Sequence, residues 1–175
     1  MNNLLKLPPL SLYIHYPWCL KKCPYCDFNS HEGDIYTGYI NLLLADLDND
    51  LKYVQNREIR SIFIGGGTPS LMSVSDASEL FDGLKKRLSL AKNIEITLEA
   101  NPGTFEVEKF AQYREAGINR LSIGVQSFNN DQLKFLGRIH SGEEATQAIS
   151  EAKKVGFDNM KDRKSTRLNS SHVKR

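Results

Sequence analysis

Two hydrophobic periods alternate in a regular order along this 175-residue chain. Apolar residues at every second position, typical of strands, recur within residues 12–16, 62–64, 94–98 and 121–125. Apolar residues at every third or fourth position, typical of amphipathic helices, fall between and after them, within residues 36–54, 80–88, 105–113 and 141–156. A fifth strand is predicted to start at Phe157. About four strand–helix units predict an α/β fold with parallel strands, either a partial TIM-like β/α barrel or an open sheet.

Short polar residues and glycines predict where the helices begin and end. Ser73 with Asp76, and Ser141 with Glu144, have the spacing of a capping box at a helix start. Gly117 is predicted to end the third helix in a left-handed conformation.

The two faces of the predicted strands differ in chemistry. One face is aliphatic and is expected to pack under the helices. The other carries polar, aromatic or small residues: Tyr13, His15, Phe63, Gly65, Thr97, Glu99, Ser122, Gly124 and Gln126. Because closed barrels usually fill their interior with branched apolar side chains, this face predicts a ligand cavity towards the carboxyl ends of the strands. The alternative is that these residues face solvent on an open sheet.

The positive net charge belongs to the end of the chain. Residues 161–175 hold six of the 23 Lys and Arg residues but one of the 21 Asp and Glu residues. The remainder has 17 basic and 20 acidic residues, a net charge of −3, which gives no reason to expect nucleic-acid binding. We interpret residues 1–160 as one domain and residues 161–175 as a disordered basic tail foreign to it.

The amino-terminal region predicts neither a signal peptide nor a membrane span. Pro8 and Pro9 interrupt its apolar residues, and no stretch approaches the roughly 18 apolar residues that a membrane span needs. A cytoplasmic location is therefore expected, where thiols stay reduced.

The three cysteines form a C-x3-C-x2-C motif directly after the first strand. Cys19, Cys23 and Cys26 are the chain's only cysteines, and thiolates are soft ligands that suit iron–sulfur clusters or zinc. Three thiolates on one loop can bind three corners of a cubane and leave the fourth iron open. A zinc-stabilised binding module is the alternative, with His15 or His31 as the fourth ligand that a structural zinc site requires.

This motif, with the aromatic Tyr25 before its last cysteine, resembles the signature of the radical S-adenosylmethionine (SAM) superfamily. The resemblance implies a [4Fe–4S] cluster on the three cysteines, with SAM chelating the fourth iron. It also implies one-electron cleavage of SAM to methionine and a 5′-deoxyadenosyl radical, and a reductant such as flavodoxin or ferredoxin.

Further motifs are similar to one family within that superfamily, which comprises oxygen-independent coproporphyrinogen III oxidases and the heme chaperones called HemW. They include Gly65-Gly66-Gly67-Thr68-Pro69, Leu98-Glu99-Ala100-Asn101-Pro102-Gly103, Ile123-Gly124-Val125-Gln126-Ser127-Phe128 and Leu136-Gly137-Arg138. The resemblance implies SAM contacts from Tyr13, Tyr25, Gly66, Gly67, Thr68, Glu99, Gln126 and Arg138.

The residues after the cysteine motif indicate which branch of the family the chain resembles. The oxidase branch carries a further cysteine two residues after the motif, but here Asp27, Phe28 and Asn29 follow Cys26. The chain is therefore more similar to the heme-chaperone branch. This implies binding of heme as cargo, delivery to recipient hemoproteins, and no oxidation of coproporphyrinogen, while the oxidase activity is the alternative.

Overall fold

A computed structural model describes residues 7–103 and 107–164. Its seven strands are β1 (Leu10–Tyr16), β2 (Trp18–Cys19), β3 (His31–Glu32), β4 (Ile59–Gly66), β5 (Leu90–Ala100), β6 (Arg120–Gln126) and β7 (Asn159–Lys164). Its helices are α1 (Tyr39–Val54), α2 (Val74–Arg87), α3 (Phe110–Ala116), α4 (Asn130–Phe135) and α5 (Gly142–Lys154), with a 3₁₀ turn at Pro69–Leu71.

The main sheet has five strands in the order β1-β4-β5-β6-β7, and every neighbouring pair is parallel. Each strand thus lies beside the next main-sheet strand of the chain. The helices also pack in sequence order, α1 on α2, α2 on α3 and α3 on α5. A doubly wound sheet would reverse its strand order and place helices on both faces. The arrangement confirms the predicted α/β fold and is consistent with a partial β/α barrel.

The aliphatic face of the sheet forms the core, as predicted. The buried strand residues include Ile14, Tyr16, Ile62, Ile64, Ile96, Leu98, Leu121, Ile123 and Val125. On the opposite face Thr97 and Ser122 are buried, whereas Tyr13 is 57% exposed. Five strands cannot enclose an interior in the way that about eight do. The face that carries Tyr13 is therefore open at that residue. Two cavities of about 380 Å³ lie between β1 and α1, with Tyr13 among the lining residues, and between α3 and α5.

The helix ends largely follow the predicted signals. The side chain of Ser73 accepts a hydrogen bond from the Asp76 amide, and Ser141 and Glu144 form a complete capping box. Gly117 ends α3 with a φ of 112°. The first helix differs from the prediction: it begins at Tyr39, after the left-handed Gly38, and Tyr36 is 61% exposed in the preceding turn.

The last strand extends past the predicted end of the domain. β7 runs to Lys164, and its residues Lys161, Asp162 and Lys164 pair with Ser122, Ile123 and Gln126 of β6. Residues 161–164 thus belong to a strand and not to a disordered tail. They show no hydrophobic period, and backbone pairing with β6 supports the strand instead. Residues 165–175, the rest of the proposed tail, lie outside the described residues, as does residue 105 of the predicted third helix.

No helix within the described ranges is both long enough and apolar enough to cross a membrane.

Candidate functional site

The cysteine motif lies on a loop that leaves the carboxyl end of β1. The chain turns at Pro17 and pairs briefly as β2, which ends at Cys19. Cys19 is buried, Cys23 and Cys26 are half-buried, and all three are reduced thiols. The Cys26 amide donates to the Cys23 carbonyl at 3.0 Å, which forms a turn between the last two cysteines.

The segment that follows the motif braces this loop. β3 pairs in parallel with β2, and the His31 amide donates to the Pro17 carbonyl at 2.8 Å. The Lys22 amide donates to the Glu32 carboxylate at 2.6 Å, and the Lys22 Nζ donates to the carbonyl of Ser30 at 3.1 Å. The cysteine loop is therefore tied at both its base and its middle.

Aromatic side chains anchor the base of the loop to the core. The Trp18 ring packs edge-on against Tyr39 and Tyr16, with centroids 4.6 and 5.1 Å apart. The Tyr39 hydroxyl donates to the His15 carbonyl at 2.9 Å. Helix α1 thereby fixes the residue that immediately precedes Cys19.

Residues 65–69, which we call the glycine turn, lie at the end of β4 and pack directly against residues 16–18 at the base of the cysteine loop. The Gly67 amide donates to the Tyr16 carbonyl at 2.8 Å, and the Thr68 amide donates to the Trp18 carbonyl at 2.7 Å. A Cβ atom at Gly67 would lie 2.5 Å from the Trp18 carbonyl oxygen, and one at Gly66 would lie 2.8 Å from that of Tyr16. The family resemblance implied SAM contacts at Gly66 and Gly67, and the structure shows that their lack of a side chain also allows close approach of the chain's own cysteine segment.

Glu99, at the end of β5, faces the glycine turn. Its Oε2 accepts a hydrogen bond from the Gly66 amide at 3.4 Å. Although Tyr13 is largely exposed, its partial burial raises its pKa above the usual value, and the negative charge of Glu99 raises it further. The Tyr13 hydroxyl lies 3.1 Å from Nδ1 of His15, whose Nε2 lies 2.8 Å from the Asn29 carbonyl. Both ring nitrogens of His15 are thus engaged, which argues against its predicted alternative role as a zinc ligand.

Arg138 connects the distant parts of the site. Its Nη2 donates to Asn101 Oδ1 at 2.6 Å and to the Gly124 carbonyl at 3.0 Å, and its Nη1 donates to Cys23 Sγ at 3.3 Å. The side-chain Nδ2 of Asn101 donates in turn to the Thr68 hydroxyl at 3.2 Å. One hydrogen-bonded chain therefore joins the glycine turn, the ends of β5 and β6, and the cysteine loop.

Asn101 and Gly137 were not among the predicted site residues. Asn101 follows the end of β5 directly, a position that the strand pattern could have pointed out. Gly137 has a φ of +69°, and a Cβ there would lie 2.8 Å from the Pro24 ring. The turn after α4 thus packs on the cysteine loop between Cys23 and Tyr25. Burial raises the pKa of Tyr25, and the nearby Arg138 opposes that shift.

Gln126 occupies an unusual backbone position at the end of β6. Its φ is +63°, and the Ser127 amide donates across it to the Val125 carbonyl at 2.7 Å. This i to i+2 hydrogen bond around a residue of positive φ defines a γ-turn, a rare and strained conformation.

Among the predicted SAM contacts, the structure brings Thr68, Glu99 and Arg138 together around the cysteine loop. Gln126 lies on the neighbouring strand end.

The donor set suits an iron–sulfur cluster, because soft thiolates are the ligands that such clusters take. A cubane binds each thiolate through a different iron, so three cysteines of one loop can hold three of its four irons. Cys19, Cys23 and Cys26 lie on one such loop, and within the described ranges the structure brings no three Cys, His, Asp or Glu side chains together around a single ion. The buried Nε of Arg138, beside Cys23, has no partner in the described part of the chain.

Comparison with known families decides the class of this site. The family model of the radical SAM superfamily matches residues 13–166. The chain belongs to the radical SAM superfamily. Membership implies a [4Fe–4S] cluster and SAM, as the cysteine motif predicted.

Two relatives within the superfamily match most of the chain. It is 57% identical over 157 residues to the heme chaperone HemW of Escherichia coli K12, a match that covers 88% of this chain and 42% of that protein. It is 41% identical to the mitochondrial radical S-adenosyl methionine domain-containing protein 1 of Danio rerio, over 83% of this chain and 33% of that protein. The chain thus spans about two fifths of the length of the HemW relative and about one third of the length of the mitochondrial relative.

Solved structures of radical SAM proteins share the fold. The coproporphyrinogen III oxidase HemN of E. coli superimposes with a TM-score of 0.73 and 28% identity, over 87% of this chain and 36% of HemN. The cobalamin-dependent radical SAM enzyme OxsB superimposes with a TM-score of 0.58 and 20% identity, over 86% of this chain and 23% of OxsB, a likeness of fold alone.

Proposed function

We propose that this chain is the radical SAM portion of a heme chaperone of the HemW type. The observation that carries the proposal is the anchored loop with three reduced thiols, on which Arg138 and the glycine turn converge. The 57% identity to HemW favours a chaperone over the oxidase HemN, which is 28% identical. The absence of a cysteine two residues after Cys26 agrees with that choice.

In this proposal Cys19, Cys23 and Cys26 bind the cluster, and the surrounding strand ends bind SAM. The SAM contacts are Tyr13, Tyr25, Gly66, Gly67, Thr68, Glu99, Gln126 and Arg138. The guanidinium of Arg138 suits a carboxylate, and the carboxylate of Glu99 suits hydroxyl or ammonium donors. The cluster, when bound, would supply one-electron chemistry, while the chain binds and orients SAM at the carboxyl ends of the strands.

The cargo and partners are part of the same proposal. Heme is bound and passed to recipient hemoproteins, and a flavodoxin or ferredoxin supplies electrons. A cytoplasmic location keeps the three thiols reduced until the cluster forms. These statements rest on the relatives' names and on the family resemblance.

Anaerobic reconstitution tests the cluster. We expect the chain, incubated with iron and sulfide under reducing conditions, to bind about four irons and about four labile sulfides and to show the broad visible absorption of a [4Fe–4S] cluster. Cys23→Ser should abolish this absorption because one iron loses its ligand. Lys21→Ser, an exposed change in the same loop, is the matched control. Wild-type chain that binds zinc but no labile sulfide would contradict the proposal.

Heme binding separates the chaperone from the oxidase. The full-length protein should bind heme and transfer it to an apo-hemoprotein, which is measured by the recipient's absorption spectrum. It should not decarboxylate coproporphyrinogen in the presence of SAM and a reductant. Efficient decarboxylation without heme binding would favour the oxidase alternative.

A further inference from the structure

The turn after α4 forms hydrogen bonds with two successive backbone carbonyls at the end of β6. We call residues 136–141 the clamp loop. Within it, Arg138 donates to the Gly124 carbonyl, and Nε2 of His140 lies 3.0 Å from the Val125 carbonyl. The next residue of the strand is Gln126.

The Val125 carbonyl is also the acceptor that closes the γ-turn around Gln126. It receives the Ser127 amide at 2.7 Å in addition to the His140 ring. A non-glycine residue with positive φ persists only where surrounding contacts hold it. The Val125 carbonyl, which closes this turn, has two such contacts: the Ser127 amide of the turn itself and the His140 ring of the clamp loop.

His140 is built to donate a single hydrogen bond there. A carbonyl oxygen can only accept, so Nε2 must carry the hydrogen. The side chain is 5% exposed, and its Nδ1 is buried without a partner in the described ranges. Burial lowers the pKa of His140, which favours the neutral ring. The hydrogen bond to the Val125 carbonyl opposes this shift, the charge of Arg138 lowers the pKa further, and the charge of Glu144 raises it. A neutral ring with its hydrogen on Nε2 satisfies this geometry.

We propose that His140 is a positioning residue that holds Gln126 in its γ-turn and Arg138 beside Cys23, and so shapes the SAM site without touching SAM. The proposal deepens the proposed function and rests on it for the identity of the ligand. His140 lies two residues after Arg138 on the clamp loop, and its bond ends one residue before Gln126. One buried imidazole thus connects two proposed SAM contacts that are twelve positions apart in the sequence.

Three substitutions test this role. His140→Gln provides an amide N–H where Nε2 stood, whereas His140→Phe fills the volume without a donor. His140→Asn is polar but too short to reach the Val125 carbonyl. We expect hydrogen exchange at the Ser127 amide to be about tenfold faster in the Phe and Asn variants, and SAM to dissociate from the reconstituted protein with about a tenfold higher Kd. The Gln variant should stay within about threefold of wild type in both measurements, and iron content should stay the same throughout.

Each outcome distinguishes the two proposals. Unchanged Kd and unchanged Ser127 exchange in His140→Phe would overturn the positioning role while leaving the cluster assignment intact. A wild-type chain that binds no cluster would overturn the proposed function, yet Ser127 exchange would still test the clamp. A measurement on the wild type avoids any variant that fails to fold: nitrogen NMR should show His140 with its hydrogen on Nε2, and a hydrogen on Nδ1 would refute the geometry.

Discussion

Gly67 has no side chain, so the glycine turn can pack directly against the backbone of the segment that leads to Cys19. Its amide bonds to Tyr16, and the space where a Cβ would stand is occupied by the carbonyls of Pro17 and Trp18. The neighbours that would have to move are backbone atoms of the segment that leads to Cys19, so no side-chain rotation can relieve the clash.

We therefore expect Gly67→Ala to reduce cluster loading and to lower the free energy of unfolding by about 1–3 kcal/mol, the usual cost of overpacking. Denaturant unfolding and iron analysis after anaerobic reconstitution measure the two effects. Gly38→Ala is the comparison, since its Cβ would meet nothing within 4 Å and only its φ of 89° is unfavourable. Equal loading by the Gly67 variant and wild type would show that the glycine turn does not position the cysteine loop.

Residue types at the site could be predicted from the sequence, but their partners could not. The spacing of Cys19, Cys23 and Cys26 is visible along the chain. The bond from Arg138 to Cys23 spans 115 positions and arises only when β6 lies beside β5 and the clamp loop folds back. The role of His140 was missed for the same reason, because a single histidine gives no signal until its buried neighbours are known.

Helix α5 begins with a complete capping box. Ser141 Oγ accepts from the Glu144 amide at 3.1 Å, and Glu144 Oε2 accepts from the Ser141 amide at 2.7 Å. This pair satisfies two amides that a helix start otherwise leaves without partners. The capping box also fixes the end of the clamp loop, one residue after His140.

Ser141→Ala should therefore lower the free energy of unfolding by about 1 kcal/mol, the typical cost of losing an N-cap side chain. Ser150→Ala, at an exposed position within α5, should be neutral or slightly stabilising because alanine favours the helix. Urea denaturation followed by circular dichroism compares the two variants. Equal stability of the two would mean that the cap contributes nothing.

Elements with a strong local pattern were predicted from the sequence, whereas boundaries that depend on pairing or on a turn were not. The strand and helix order, Gly117 and the Ser141 cap all have short-range signals. A fifth strand was predicted from Phe157, but β7 begins at Asn159 and continues through Lys161 and Asp162, which show no hydrophobic period, because β6 offers it a parallel partner. The start of α1 was set too early because Tyr36 continues the apolar stripe, although Gly38 turns the chain before the helix begins.

For the whole molecule, buried His140 couples stability to pH. Its pKa is lowered from 6.5 in the folded protein, so below about pH 6.5 the unfolded chain binds a proton that the folded chain does not. The contribution of His140 to stability should be fully present above about pH 7 and should fall as the pH drops below about 6.5, with a slope of at most about 1.4 kcal/mol per pH unit for this one proton.

Thermal or urea unfolding at several pH values measures this slope. His140→Gln should flatten the dependence in that window, since the amide does not titrate. Asp48 and Glu143, whose pKa values are lowered, affect stability only in more acidic solution. An identical slope in wild type and His140→Gln would place the titrating group elsewhere.

The hydrogen bonds between the glycine turn and residues 16–18 have a consequence for how the protein meets its iron. They are made by backbone groups of two strand ends, so we expect them to form together with the sheet, whether or not a cluster is bound. The conformational entropy of the loop base is thus lost when the chain folds, before any iron arrives. If oxygen destroyed the cluster, the base of the cysteine loop would keep its fold. The cluster could then be rebuilt from iron and sulfide without refolding of the chain.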